Sequence, residues 1–309
     1  MLDYQALKAV AAVIRTGSFD KAARLIHVTP SAVSQRVKQL EERMGAVLVV
    51  RGSPCTATET GDWLCRHVEQ VELMEGQLFD AWPALSPAAD GPERVTLSIA
   101  VNADSLGTWF LEALQRFSKT ADCLFDLAVD DQEHTAERLR RGQVAAAVTS
   151  LEQPIQGCRR IYLGRLRYHA TASPDFMARH FAGGVDAHSL GLAPALTFDR
   201  KDRLQQMWLA AATGGEPAIP THWLPSTQGF VEAALRGLGW GMNPAALVAG
   251  HLADGRLVEL IPGKVIDVPL YWQISRLASA PLAGLTEAVR AAAAEGLETE
   301  DRGQGGRQG

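Results

Sequence analysis

Cysteine is scarce, with only Cys55, Cys65, Cys123 and Cys158 in 309 residues. Their spacing is irregular and no CxxC pair occurs, which excludes a regular disulfide or metal framework and fits reduced cytoplasmic thiols. Histidine adds no metal signal. His134, His180, His188, His222 and His251 lack ligand spacing, and a lone histidine is more often at the surface or hydrogen-bonded than a ligand. No uninterrupted apolar run reaches membrane length, and Met1 opens no basic–apolar–small leader. A cytoplasmic protein with no membrane association is therefore expected. GxSxG is missing too. Gly237-Leu-Gly-Trp-Gly241 lacks the strand–turn–helix setting of a dinucleotide loop and reads as a turn into a strand. With no convergent catalytic set, neither an enzyme nor a cofactor or metal is expected.

A chain of this length suggests two or three domains, and 47% hydrophobic residues are enough for sizeable cores. Charge is uneven. Eight basic and five acidic residues up to Thr60 give the head +3, whereas 22 basic and 30 acidic residues leave the remainder at −8. A basic head on an acidic body fits an N-terminal domain that meets phosphates.

The most informative stretch is Phe19 to Arg51. A first helix, Asp3 to Arg15, carries Leu7, Val10, Ala11 and Ile14 on one side and ends at Gly17. Ser18 caps a short second helix with Ala22, Ala23 and Ile26. Thr29-Pro30 is a helix start, because Thr29 accepts from the first free N–H groups and Pro30 gives up no hydrogen bond there. Val33, Val37, Leu40 and Met44 then recur at helical spacing. The opposite face presents Ser31, Ser34, Gln35 and Lys38. Two short helices with a polar start to the second form a helix-turn-helix, over about 19–40, whose second helix enters the major groove of double-stranded DNA. Gly45 caps that helix. Val47 to Arg51 and Thr56 to Thr60 read as the two strands of a wing, with Arg51 placed to reach a phosphate or the adjacent minor groove. Cys55 lies in this wing, where a small semi-buried residue is the favoured reading over a redox-active one.

Asp62 to Ala81 reads as one long helix. Leu64, Val68, Val71 and Leu78 form a narrow seam suited to an antiparallel helix pair, so a dimerisation helix is expected. Pro83 to Pro92 reads as a linker. Beyond it strands and helices alternate: strand Arg94–Val101, helix Ser105–Phe117, strand Cys123–Val129, helix Thr135–Arg141, strand Val144–Thr149. This pattern predicts a parallel sheet covered by helices. A second series follows, with strands at Leu166–Ala172, Leu192–Thr197, Gly239–Met242 and Pro269–Ile274, and helices near Arg203–Ala212, Gln228–Leu235 and Leu282–Ala294. The tail from Thr299 is polar and glycine-rich, and disorder is expected there. The resulting division is a winged helix-turn-helix domain (2–60), a linker helix and hinge (61–90), an α/β body of two subdomains (91–298) and a tail (299–309).

The segment AARLIHVTPSAVSQRVKQLEERMGAVLVVR…TETG resembles the N-terminal domain of the LysR-type transcriptional regulators. The α/β body is similar to the two periplasmic-binding-protein-like subdomains of that family, and the resemblance spans essentially the whole chain. Within the family, VVRGSPCTAT, SIAVNADSLGTW, ERLRRG, FVEAALRG and LYW resemble the ArgP/LysG group. Ser53-Pro54-Cys55 stands where that group has a Lys-Pro-Cys type sequence, and Gly239 to Pro244 is less Cys- and Ile-rich than the group pattern. The resemblance implies an activator of an amino-acid exporter gene. It also implies lysine or arginine as small-molecule effector, a homodimer or homotetramer, a place at the nucleoid and RNA polymerase as a further partner. The alternatives are a LysR-type regulator with another effector, an effector-independent nucleoid-type DNA binder, or an amino-acid-binding protein whose body alone matters.

A basic amino acid would need donors for its carboxylate and acidic groups for its cation. Asn102, Asp104, Ser105 and Thr108 follow the first strand of the body, at the carboxyl end where open parallel sheets bind ligands. A helix starting at Ser105 offers N–H groups to a carboxylate. Asp130 follows the second strand, Thr149 and Ser150 end another, and Asp199, with Asp202 close by, follows a strand of the second series. For each Asp alone, helix capping or solvation is the stronger reading. For Ser105 capping and ligand contact are level.

Overall fold

The computed structural model describes residues 3–81, 95–129, 132–215, 217–276 and 278–299. The linker expected at Pro83 to Pro92, Asp130 and the tail beyond Thr299 lie outside the described residues.

Side-chain caps start the helices of the head. Asp3 accepts from the backbone N–H groups of Gln5 and Ala6 and opens α1 (Tyr4–Thr16). Ser18 opens α2 (Phe19–Leu25), and Thr29, followed by Pro30, opens α3 (Pro30–Met44). Gly17 and Gly45 close α1 and α3 at φ of 66° and 65°, a conformation glycine adopts without a Cβ penalty. Leu7, Val10, Val13, Ala22, Val33 and Val37 interlock as one core. Met44, expected on the buried face, is 38% exposed. It sits in the last turn of α3, where the chain already swings toward the wing.

The wing strands are shorter than the sequence suggests: β1 (Val49–Val50) pairs antiparallel with β2 (Thr56–Ala57). Side chains take over the neighbouring backbone groups. Glu41 Oε1 accepts from the N–H groups of Leu48 (2.8 Å) and Val49 (3.2 Å). The Thr58 hydroxyl donates to Val47 O (2.7 Å) and accepts from Gly61 N (3.0 Å). That second bond starts α4 (Glu59–Ala81) three residues before the expected Asp62. Gly61 permits the junction, since a Cβ there would lie 2.0 Å from Leu48 O.

The body opens with β3 (Val95–Val101) and α5 (Ala103–Ser105), which runs through a π-helical turn, Leu106–Phe110, into α6 (Leu111–Ser118). Next come β4 (Cys123–Val129), α7 (Gln132–Arg140) and β5 (Ala146–Thr149). β3 lies parallel to β4 and β5, as the alternation predicts. The second series departs from expectation. β6 spans Cys158–Ala172 and starts well before Leu166. It is followed by α8 (Pro174–His180) and α9 (Ala187–Leu192), so the strand expected from Leu192 shrinks to β7 (Ala195–Thr197). Ser173-Pro174 and Asp186 supply the caps of these two unforeseen helices. Then follow α10 (Leu204–Thr213), β8 (Thr221–Trp223), α11 (Thr227–Leu235), β9 (Gly241–Pro244) and α12 (Ala245–Ala253), the last also unforeseen. The chain closes with β10 (Val258–Glu259), β11 (Val265–Ser275) and α13 (Ala283–Gly296).

The main sheet runs β10-β6-β11-β5-β3-β4, with β9 also on β6. It is mixed rather than parallel, because β11 runs antiparallel to both β5 and β6. The two long strands explain this. The later half of β11 joins β5 in the first subdomain, while its earlier half pairs with the later half of β6, which joins β9 and β10 in the second. One strand leaves the first subdomain and the other returns, so they must oppose each other. The register shifts between Leu270 and Tyr271, opposite Gly164 at φ 142°. Trp208, Trp240, Trp272 and Phe110 are fully buried in the joint core. Among the described residues no helix is long and apolar enough to cross a membrane.

Candidate functional site

Two surfaces carry the polar groups singled out in the sequence: the start of α3 with the wing, and the cleft between the subdomains of the body. On α3, Pro30, Ser31, Gln35 and Lys38 are exposed and Ser34 is half-buried. The Ser31 and Thr29 hydroxyls are 3.0 Å apart. Lys38 Nζ lies 3.6 Å from Glu42 Oε1 in an open (i, i+4) pair, which water and salt screen. Arg51 leaves the wing exposed, with its guanidinium 5.3 Å from the Phe19 ring centroid. That stacking ties the wing cation to the helix before α3. Cys55 is 8% exposed and packs in the head core. Sequence reasoning passed over Glu41, whose carboxylate fixes the wing to α3. A lone glutamate on a helix gives no hint of a partner seven residues on.

Part of the seam on α4 also serves the head. Val68 is 2% exposed within one chain, and both Leu64 and Val68 pack on the head core. Their apolar surface is used inside the subunit, because α4 leans on α1. Val71 is half-buried, and the side chain of Leu78 lies outside what is described. Among the described residues, Trp63 and Met74, 60% and 50% exposed, are the large apolar groups left open on this helix.

At its base α4 meets the first subdomain around a hollow lined by Arg66, Glu69, Met74, Ser98, Gly142 and Ser275. Desolvation pushes the Glu69 carboxyl up to about 7, helped by the nearby charges of Glu72 and Asp126 and opposed by Arg15 and Arg66. Burial pushes the Cys65 thiol up to about 12, which makes it a poor nucleophile.

In the body, the structure sorts the expected cleft residues. Asn102 caps α5 by accepting from Ser105 N (3.1 Å). Thr108 donates back to Asp104 O (2.6 Å), so its hydroxyl is used within the helix. Thr149 is buried and accepts from Leu151 N (3.1 Å), while Ser150 is half-buried beside it. Asp199 closes a turn, accepting from Lys201 N (2.7 Å) and Asp202 N (3.0 Å). These four residues bond locally, as capping predicts for polar residues at strand ends.

Ser105 and Asp104 differ. Ser105 is fully buried, and its hydroxyl has no partner among the described residues. A buried unpaired hydroxyl costs free energy, so such groups are rare and informative. Thr197, at the end of β7 in the second subdomain, is the same case. The Asp104 carboxylate crosses from the first subdomain to the second. Its Oδ1 accepts from the Thr227 hydroxyl (2.6 Å) and its Oδ2 from the Tyr168 hydroxyl (2.7 Å). Burial pushes the Asp104 carboxyl above the ordinary range, and the two hydroxyls and the charge of Asp202 modulate it, the hydroxyls downward and Asp202 upward. Burial and Asp104 likewise raise the Tyr168 phenol well above its usual value. Around Asp104 lies a small hollow, of about 20 Å³ and open to one side, walled by Phe198, Leu204, Phe230 and Met242, with Asp202 as a second carboxylate. Asp202 is held by the N–H groups of Phe198 (3.1 Å) and Leu204 (3.0 Å). Apolar walls with two carboxylates and no basic lining residue suit a positively charged group on an aliphatic stem.

Tyr168, Thr227 and Thr197 were not found from sequence. Ser226-Thr227 at a helix start was the available signal for one of them, and nothing marks Tyr168 within its strand.

Comparison with known proteins places these surfaces in context. Residues 4–62 match the family described as bacterial regulatory helix-turn-helix protein, lysR family, and residues 90–297 match the LysR substrate binding domain. The HTH-type transcriptional regulator ArgP of Pseudomonas aeruginosa is 46% identical over 297 residues, covering 96% of this chain and 98% of that protein. The crystal structure of ArgP from Mycobacterium tuberculosis superposes with a TM-score of 0.77 at 44% identity, covering 97% of this chain and all of that one. Full-length LysG from Corynebacterium glutamicum with bound effector Arg gives a TM-score of 0.67 at 37% identity, over 96% of this chain and all of that one.

Proposed function

This chain belongs to the LysR-type transcriptional regulators, so it is a DNA-binding regulator and not an enzyme, and from that premise we propose that it senses a basic amino acid, lysine or arginine, in the cleft of its body. The observation that carries this is Asp104, a buried carboxylate in an apolar hollow shared with Asp202 and lacking any cation among the lining residues. An aliphatic stem against Phe198, Phe230 and Met242 would bring an ammonium or guanidinium to that carboxylate. The effector's own carboxylate would take the Ser105 hydroxyl and neighbouring N–H groups. The similarity to LysG with bound effector Arg supports the same ligand class.

On DNA, the start of α3 reads base edges through Ser31, Ser34 and Gln35, while Lys38 and Arg51 meet phosphate or the adjacent groove. Two copies joined through α4 present two such helices. Effector binding shifts the regulator through its different affinities for two arrangements of the body, and the target is the promoter of an amino-acid exporter gene, activated together with RNA polymerase.

Titration calorimetry of the full chain with lysine, arginine, histidine and glutamine tests the effector reading. Binding of lysine or arginine with no heat from glutamine is the expected result. Equal or absent binding of all four refutes basic-amino-acid sensing and leaves the family assignment in place. Genomic footprinting with and without added lysine or arginine then identifies the promoter.

A further inference from the structure

The hydroxyls that hold Asp104 do more than satisfy it. Asp104 sits on α5 of the first subdomain, whereas Thr227 opens α11 and Tyr168 lies in the later half of β6, both in the second. The three groups therefore bridge the cleft. Thr227 also packs close to the helix that follows Asp104, since a Cβ on Gly107 would lie 3.6 Å from the Thr227 methyl. The charges around the carboxylate are lopsided: Asp202, of like sign, lies beside it, and among the described residues Asp104 has no ion pair. A buried carboxylate held only by neutral donors is stabilised in part, and an opposite charge completes the compensation. The structure offers the donors and leaves the cation to be supplied.

We propose that Tyr168 and Thr227 form a cross-cleft latch on Asp104 that sets the preference of the body for a positively charged ligand side chain over a neutral one of the same shape. This rests on the reading of the cleft as a basic-amino-acid site. The two residues are positioning groups. They keep the carboxylate at the subdomain junction, so the ligand cation and closure of the cleft stabilise the same arrangement. A neutral isostere gains the apolar walls but leaves the carboxylate uncompensated. Without the Thr227 hydroxyl the carboxylate loses one of its two fixed donors, and its position depends on closure through Tyr168 alone.

The test uses the full chain and two ligands of matched shape, arginine and citrulline, whose side chain ends in a neutral urea. Calorimetry should show wild type binding arginine at least tenfold more tightly than citrulline. Thr227→Val, nearly isosteric, should narrow that ratio to threefold or less, Tyr168→Phe should do the same, and Thr227→Ser should restore it. Hydrogen exchange is measured in parallel without any ligand. Amides of 103–110 and 227–235 should exchange at least threefold faster in Thr227→Val than in wild type or Thr227→Ser. An unchanged arginine-to-citrulline ratio in Thr227→Val overturns the selectivity role, and unchanged exchange overturns the latch. Wild type that binds neither ligand refutes the effector reading instead, and the exchange comparison then decides the latch alone.

Discussion

Glu41 offers a sharp test of how the DNA-reading head is held together. Its Oε1 accepts from Leu48 N and Val49 N, at 2.8 and 3.2 Å, and those residues are 0% and 2% exposed. In Glu41→Ala both N–H groups lose their acceptor where water cannot easily replace it. Each buried unsatisfied group costs about 1–3 kcal/mol. Glu41 itself is half-buried, so some water enters, and ~2–4 kcal/mol in all is a fair expectation. For a domain of this size ~1 kcal/mol moves the melting point by roughly 4–8 °C. The earliest transition in scanning calorimetry of the full chain should therefore fall by roughly 8–30 °C. Glu41→Gln keeps an acceptor oxygen and loses only the charge assistance, so it should lie between the two. The wing carries Arg51, so operator affinity in Glu41→Ala should drop alike for all sequences, without loss of base preference. A Glu41→Ala protein that melts within about 1 °C of wild type, under the size relation just used, would show that the wing does not hang on this carboxylate.

Other consequences follow from the same surfaces. Gln35→Ala should cost about 1–3 kcal/mol on the specific operator and relax its sequence preference, and an unchanged preference in a binding-site selection would refute the docking of α3. Lys38→Ala should weaken all sequences equally and flatten the salt dependence measured by filter binding. Val71→Asp places an unpaired charge on the proposed subunit contact of α4, so sedimentation should show dissociation, and an unaltered profile would sink the contact. Glu69 titrates near 7 in the fold against 4.5 unfolded; a raised carboxyl favours the fold below its unfolded value and loses that advantage as pH rises through the folded one. Stability should thus decline between about pH 4.5 and 7, only modestly because Glu69 is exposed and water screens its charge, and a Glu69→Gln protein whose melting curve still tracks wild type across that window would refute the assignment.

The head was legible because its information is local. Asp3, Ser18, Thr29-Pro30, Gly17 and Gly45 each act within four residues of themselves, and the apolar spacing of α1 and α3 names the face they share. The strand–helix alternation of the first subdomain was legible for the same reason. What the sequence hides is non-local. β6 begins at Cys158 because β11 lies beside it along its whole length, and no pattern in Cys158 to Leu166 announces a partner more than a hundred residues away. The cleft divides along the same line. Asn102, Thr108 and Asp199 sit where polar residues were expected, yet their bonds are to near neighbours, and position alone could not separate them from Asp104. The discriminating fact is that the Asp104 contacts reach Tyr168 and Thr227, 64 and 123 residues on. A carboxylate that bonds locally is serving its own helix. One that bonds across two subdomains makes its environment depend on how those subdomains sit, and it is through such a group that a ligand's charge can become a change in shape.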